Sequence, residues 1–200
     1  MDKSTLKGAE SDKLISVHDL HLNVPGNEPI KLPVFTITKG DCLHVKAKSG
    51  RGKSFFYHTL LGMTPESLKL APNWCEFKSL FVYMPAYLPF FSETVLEELQ
   101  RVQVDQHKIN QLIKMGLIAE SFLRLRCIDL SSGQNQLLIF IRGVLSDKPI
   151  LIMDELMNAM DFELKTMIIS YLREHVLKDR ALIYSLHESV DLPNTQIIEL

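Results

Sequence analysis

A marked excess of either charge is missing from this 200-residue chain, in which 22 Lys and Arg stand against 24 Asp and Glu for a formal net charge of -2. No overall basic field is available to grip a phosphate backbone, so nucleic acid is not expected as a partner. Cysteine is scarce, and the three present, Cys42, Cys75 and Cys127, show no CxxC spacing. That argues against a disulfide frame or a zinc site and points to buried reduced thiols in a compartment such as the cytoplasm. Long apolar runs are missing too. No stretch reaches the roughly 18 residues that a membrane helix needs, and the leading MDKSTLKGAESDK lacks the apolar core of a signal peptide. Any service to a membrane is therefore expected from outside the bilayer. Internal repeats and low-complexity tracts are absent as well. What is there is ordinary: 46% hydrophobic and 23% charged residues, enough to bury the core of one domain.

Residues 1–13 read as a flexible lead-in, because small, polar and charged side chains cannot repay the entropy of being ordered. From Leu14 to Val24 an uneven alternation suggests a strand, Pro25-Gly26-Asn27 a turn, and the run toward Phe35 a second, antiparallel strand. A short strand is expected over Cys42 to Lys46 and a helix from Lys53 to about Gly62. The stretch Met63 to Lys78 is irregular, and Ser79 to Met84 reads as a buried strand closed by Pro85 and Pro89. Helical periodicity returns over Thr94 to about Val102 and His107 to about Ala119, so a helical subdomain is expected over about 87–133. A buried helix (Gln134 to Leu145), an inner strand (Pro149 to Met153), a helix (Phe162 to Leu177) and another strand (Ala181 to Leu186) follow. Strands alternating with helices predict an α/β fold over 14–200, with a mainly parallel core behind an antiparallel N-terminal part.

The octet Ala47-Lys48-Ser49-Gly50-Arg51-Gly52-Lys53-Ser54 matches the phosphate-loop pattern, with Ala47 where glycine is more usual, and lies between the predicted strand and helix. Glycines let the backbone fold so that its N–H groups, over Ser49, Gly50, Arg51, Gly52, Lys53 and Ser54, point at phosphate oxygens. Lys53 would reach the β- and γ-phosphates and the Ser54 hydroxyl would ligate Mg²⁺. Farther on, Asp154 and Glu155 follow a buried strand directly, where open parallel sheets gather their ligands. Asp154 would hold Mg²⁺, and Glu155 would accept a proton from an attacking water; standing alone, the pair would read as an acidic helix cap.

Leu130-Ser131-Ser132-Gly133-Gln134, a following helix with Arg142 and then the Asp154-Glu155 strand resemble the signature segment of ATP-binding cassette (ABC) proteins, whose pattern is LSGGQ. Ala159-Met160-Asp161 looks like that family's D-loop region, and His187 falls where it has a switch histidine. By itself LSSGQ reads equally as a serine N-cap with a glycine turn, and His187 alone as a hydrogen-bonded strand-end histidine. The resemblance covers Leu14 to Leu200. It implies a P-loop NTPase of the ABC ATPase type that binds ATP and Mg²⁺ and pairs as a homodimer or pseudo-dimer. Ser131, Ser132, Gly133 and Gln134 of one copy would then close over the ATP held by Lys53 of the other, with Glu155 and His187 catalytic. It further implies an integral membrane permease as partner, and a place in the cytoplasm on the inner face of the cell membrane.

Three departures stand out. Ala86 follows Val82-Tyr83-Met84-Pro85 where the family has a glutamine; Val24-Pro25 stands where an aromatic ring usually stacks on adenine; Leu156 replaces a proline. The apolar loop Tyr87-Leu88-Pro89-Phe90-Phe91 reads either as packing between subdomains or as the site where the family docks its membrane partner. The expected function is ATP hydrolysis that energises transport; a regulatory or clamp module with weak turnover is the alternative, kept open by Ala86 and the missing ring.

Overall fold

A computed structural model describes residues 12–48, 50–70, 77–101, 106–188 and 190–200. Most of the expected lead-in lies outside these residues, as do Ser49 and Cys75. Four short strands open the chain: β1 (Lys13–Val17), β2 (His21–Leu22), β3 (Ile30–Lys31) and β4 (Phe35–Thr38). They pair antiparallel, β1 with β4 and β2 with β3. Antiparallel pairing was expected, but with two unbroken strands. The break between β1 and β2 falls at Asp19, whose φ of 49° no strand can contain.

Five strands then form a wholly parallel sheet: β5 (Cys42–Lys46), β6 (Phe81–Pro85), β7 (Ile150–Asp154), β8 (Ala181–Ser185) and β9 (Thr195–Glu199), in the order β6-β7-β8-β5-β9. Both faces are covered, which explains the unbroken apolar run of β7. Ile150 and Ile152 pack toward α1 (Lys53–Leu60) and the N-terminal strands. Leu151 and Met153 pack on the other face against the long helix that starts at Ser132. Edge strand β9 was not expected; only Ile198 of its five residues is buried, so it carries no apolar signal.

Between β6 and β7 lie α2 (Val95–Arg101), α3 (Gln106–Lys114), single 3₁₀ turns at Glu120–Arg124 and Cys127–Asp129, and α4 (Ser132–Leu145). Helix α3 stops short of Ala119 because Gly116 turns left-handed at φ 75°. A half-buried Arg142 on α4 reaches the buried Glu98 of α2 at 3.1 Å, and its guanidinium lies 5.7 Å from the centre of the Phe90 ring. After β7 comes α5 (Phe162–Tyr171), which runs into a π-helical turn at Leu172–Val176 and so continues to the expected end near Leu177. Cys42 and Cys127 are buried free thiols, and burial pushes the Cys42 pKa up to about 12, well clear of reactive thiolate.

Helix α4 crosses the sheet closely at one point. A Cβ on Gly143 would come within 2.0 Å of Met84 Sδ and 2.7 Å of its Cγ, in a side chain that is itself fully packed. Gly143→Ala is therefore expected to lower unfolding free energy by about 1–3 kcal/mol through overpacking, despite alanine's better helix propensity. Adding Met84→Ala should not worsen this loss additively; chemical denaturation of both variants and the double variant measures the coupling.

Candidate functional site

The carboxyl ends of β5, β6, β7 and β8 point the same way, and the sequence-predicted residues gather there. A cleft of about 410 Å³ is lined by Val24, Lys48, Gly50, Gly52, Lys53, Ser54, Phe55, Ala86, Asp154 and Glu155. Helix α1 starts beneath it with no side-chain cap and no acidic residue in its first turn. Its free N–H groups and positive dipole end are thus left facing the cleft. Gly52 has φ 105°, and a Cβ there would sit 2.7 Å from Val24 Cγ2, so only glycine fits. Asn27 donates from Nδ2 to the Gly50 carbonyl at 3.4 Å and links the first turn to this loop. Arg51 and Ser54 are exposed.

Lys53 and Glu155 meet across the cleft, Nζ to Oε1 at 3.0 Å. Glu155 Oε2 accepts from Asn158 Nδ2 at 3.3 Å and has His187 Nε2 at 3.7 Å. The backbone of Glu155 is left-handed, φ 53°, an uncommon state for a side chain of this size. Two acceptors hold its N–H there, the Ser185 carbonyl at 3.1 Å and the Ser185 hydroxyl at 3.3 Å.

Asp154 is oriented by two neutral donors: Tyr83 OH to Oδ2 at 2.9 Å and Ser185 Oγ to Oδ1 at 3.1 Å. Burial, and then the Asp154 charge, raises the Tyr83 pKa, which keeps the phenol a donor. Tyr57, deeper beneath, is raised in the same way, first by burial and then by the nearby carboxylates. Sequence reasoning passed over Tyr83, Ser185 and Asn158. The sheet register holds the signal for Ser185, which lies level with Asp154, as Asp154 does with Pro85.

Oxygen donors in this cleft suit a hard cation. Among the described residues no group of three or more His, Cys, Asp or Glu side chains could hold a metal unaided. Ser54 and Asp154 both line the cleft, and their oxygens are of the kind that fits Mg²⁺, which keeps several waters and is shared with phosphates.

Ser131, Ser132, Gly133 and Gln134 lie apart from this cluster. Ser131 caps α4 in a reciprocal box, its Oγ accepting from Gln134 N at 3.2 Å and Gln134 Oε1 accepting from Ser131 N at 2.9 Å. Ser131 and Ser132 are exposed, with Gly133 and Gln134 partly so, and none of the four lines the Lys53 cleft. His187 sits two residues beyond the end of β8, next to Glu188, which pairs with Lys165 of α5 at 3.7 Å, while Asp191 pairs with Arg173 of the π-helical turn at 2.6 Å. Buried His44 of β5 stacks on Tyr184 at 4.5 Å and its Nε2 lies 3.3 Å from the Leu186 carbonyl, placing the donor proton on Nε2.

The family described as ABC transporter matches residues 31–158. The chain is 23% identical over 226 residues to the ATP-dependent lipid A-core flippase of Pseudomonas fluorescens, an alignment covering 99% of this chain and 37% of the relative. It is 23% identical over 162 residues to the zinc import ATP-binding protein ZnuC of Wolbachia pipientis, covering 76% of this chain and 63% of that one. The chain thus spans less than two thirds of either relative's length. A solved structure of a bacterial Atm1-family ABC exporter with ATP bound superposes with a TM-score of 0.72 at 17% identity, over 88% of this chain and 34% of that chain. At such identity the likeness speaks for the fold.

His44 gives the sheet a pH dependence. Burial, chiefly, holds its pKa below the usual 6.5, with Lys46 adding and the Leu186 hydrogen bond opposing. The unfolded chain therefore binds this proton more readily, and the stability associated with neutral His44 is complete above the unfolded value and lost as pH falls through it. Relative to a His44→Leu variant, the wild type should lose stability as pH is lowered from about 7.5 to about 5.5. Parallel denaturation curves across that range would contradict this.

Proposed function

The chain belongs to the ABC transporter family, and we propose that it is an ATP-hydrolysing subunit that energises transport through a separate membrane permease by ATP-driven dimerisation. That it is a nucleotide-binding ATPase domain of transporter type follows from membership. The finer reading rests on one observation: Lys53, Ser54, Asp154 and Glu155 line a single cleft, and His187 approaches Glu155.

In this reading the glycine-bearing loop, Lys53 and the start of α1 bind the triphosphate electrostatically. Phosphate oxygens compete with Glu155 for Lys53, and the carboxylate so released accepts the proton of the attacking water. Asn158 and the Ser185 contacts fix where Glu155 points. His187 donates to the terminal phosphate. Mg²⁺, held by Ser54 and Asp154, would neutralise charge developing on the β- and γ-phosphates. Ser131 and Gly133, exposed at the head of α4, would meet the nucleotide of a second copy.

Tyr87 and Phe91 expose 71% and 80% of their surface while Leu88 and Phe90 pack inward. The outward pair is the surface we assign to the permease. No helix among the described residues is long and apolar enough to cross a membrane. The relatives' names include both a flippase and an import protein. We place the protein at the inner face of the cell membrane. One observation favours the second reading, a regulatory cassette of weak turnover: Ala86 lines the cleft with only a methyl group.

Glu155→Gln is expected to keep ATP affinity within a few-fold or raise it, to cut turnover by about 10²–10⁴, and to accumulate an ATP-bound dimer in light scattering. Turnover equal to wild type would remove Glu155 as the base. A wild type that binds Mg-ATP but does not hydrolyse it would favour the regulatory reading, and co-purification of a multi-span membrane protein would support transport.

A further inference from the structure

Gln136 is 5% exposed, on the first turns of α4, and uses both ends of its amide. Nε2 donates to the Ala86 carbonyl at 3.2 Å, and Oε1 accepts from Ala159 N–H at 2.9 Å. The two partners are far apart in sequence, 50 residues before Gln136 and 23 after it. Ala86 is a wall of the nucleotide cleft and opens the loop that exposes Tyr87 and Phe91. Ala159 belongs to the turn after Glu155, whose side chain Asn158 holds. A buried amide satisfied at both ends by backbone is costly to break, since its own Nε2 or Oε1 would be left unpaired inside the protein.

The same helix head leaves little room for slippage. A Cβ on Gly133 would lie 2.9 Å from the Ala159 carbonyl oxygen, so α4 and the turn are already at backbone contact. Asn135 makes a further bond from Nδ2 to the Leu88 carbonyl at 3.3 Å, but it reaches only the 86–91 side. Gln136 alone of these side chains touches both segments.

We infer that Gln136 is a positioning residue that clasps the 86–91 loop to the 155–160 turn, so that a displacement at Glu155 is passed to the Tyr87–Phe91 surface. Ala86 has no side chain able to carry such a link, and here its carbonyl does so through Gln136. The coupling half of this inference rests on the proposed nucleotide site; the clasp itself does not.

The test uses the full chain and follows amide exchange by NMR with and without the magnesium complex of AMP-PNP. Wild type is expected to show altered protection in both 86–91 and 155–160 on adding nucleotide. Gln136→Met, similar in size, should lose protection at Ala159 by about tenfold or more before any nucleotide is added. With nucleotide it should respond only in 155–160, its affinity within about twofold of wild type and kcat reduced severalfold at unchanged KM. Gln136→Glu keeps an acceptor for Ala159 but sets a carboxylate against the Ala86 carbonyl, so Ala159 should stay protected while 86–91 stops responding; this variant decides the matter if the methionine variant does not fold. Asn135→Ala should leave both responses in place. Unchanged Ala159 exchange in Gln136→Met overturns the clasp, and a full response of 86–91 in both Gln136 variants overturns the coupling. A wild type that shows no nucleotide response overturns the ATP reading and the coupling together, while the Ala159 measurement still judges the clasp.

Discussion

Everything at the candidate site depends on where the buried sheet stops. Strand β7 is apolar for four residues because helices and strands cover both of its faces, and Asp154 is the first residue past that cover. A carboxylate one position earlier would sit in the core, where leaving water costs several kcal/mol or more. Placed at the sheet's end, it is half-solvated and still close enough to the core to be held by Tyr83 and Ser185. The backbone hydrogen bonds of the parallel ladder then set the segment leading into Lys53, the carboxylates and His187 near one another, since β7, β8 and β5 are consecutive in the sheet.

Segments whose signal is local were legible from the residues alone. Strand β5 was read at its observed ends, α1 at its start, and α4 and β7 to within about two residues, because apolar runs and glycine or proline punctuation state their own structure. The candidate cluster around Lys53 followed, since its residues adjoin those elements. What escaped depends on register between distant segments. Tyr83 and Asp154 are 71 residues apart and meet only because β6 lies beside β7. Gln136 lies inside the predicted helix, and nothing in its own neighbourhood marks the two distant backbone groups that its amide joins. His187 was expected at the end of a strand, but Ser185 closes β8 and the histidine lies in the following loop. Strand β9 was illegible for the opposite reason: it is a mostly exposed edge whose identity comes from its partner β5.

The departures from the ABC pattern take on definite shape in the fold. Ala86 and Val24 both line the cleft, so the two losses fall on one site rather than being scattered. Val24 also lies against Gly52, closely enough that a Cβ on Gly52 would collide with it. Main-chain groups, held by Asn27, Gln136 and Ser185, supply much of the organisation that side chains would otherwise give.

Glu155 sits in a backbone state that glycine, asparagine or aspartate would occupy with less strain. In the function proposed above, heat tolerance and chemistry accordingly pull against each other at this one position. A library of this protein sorted only for survival at high temperature would drift toward smaller residues there, and its hardiest members would be poor guides to what the native chain was selected to do.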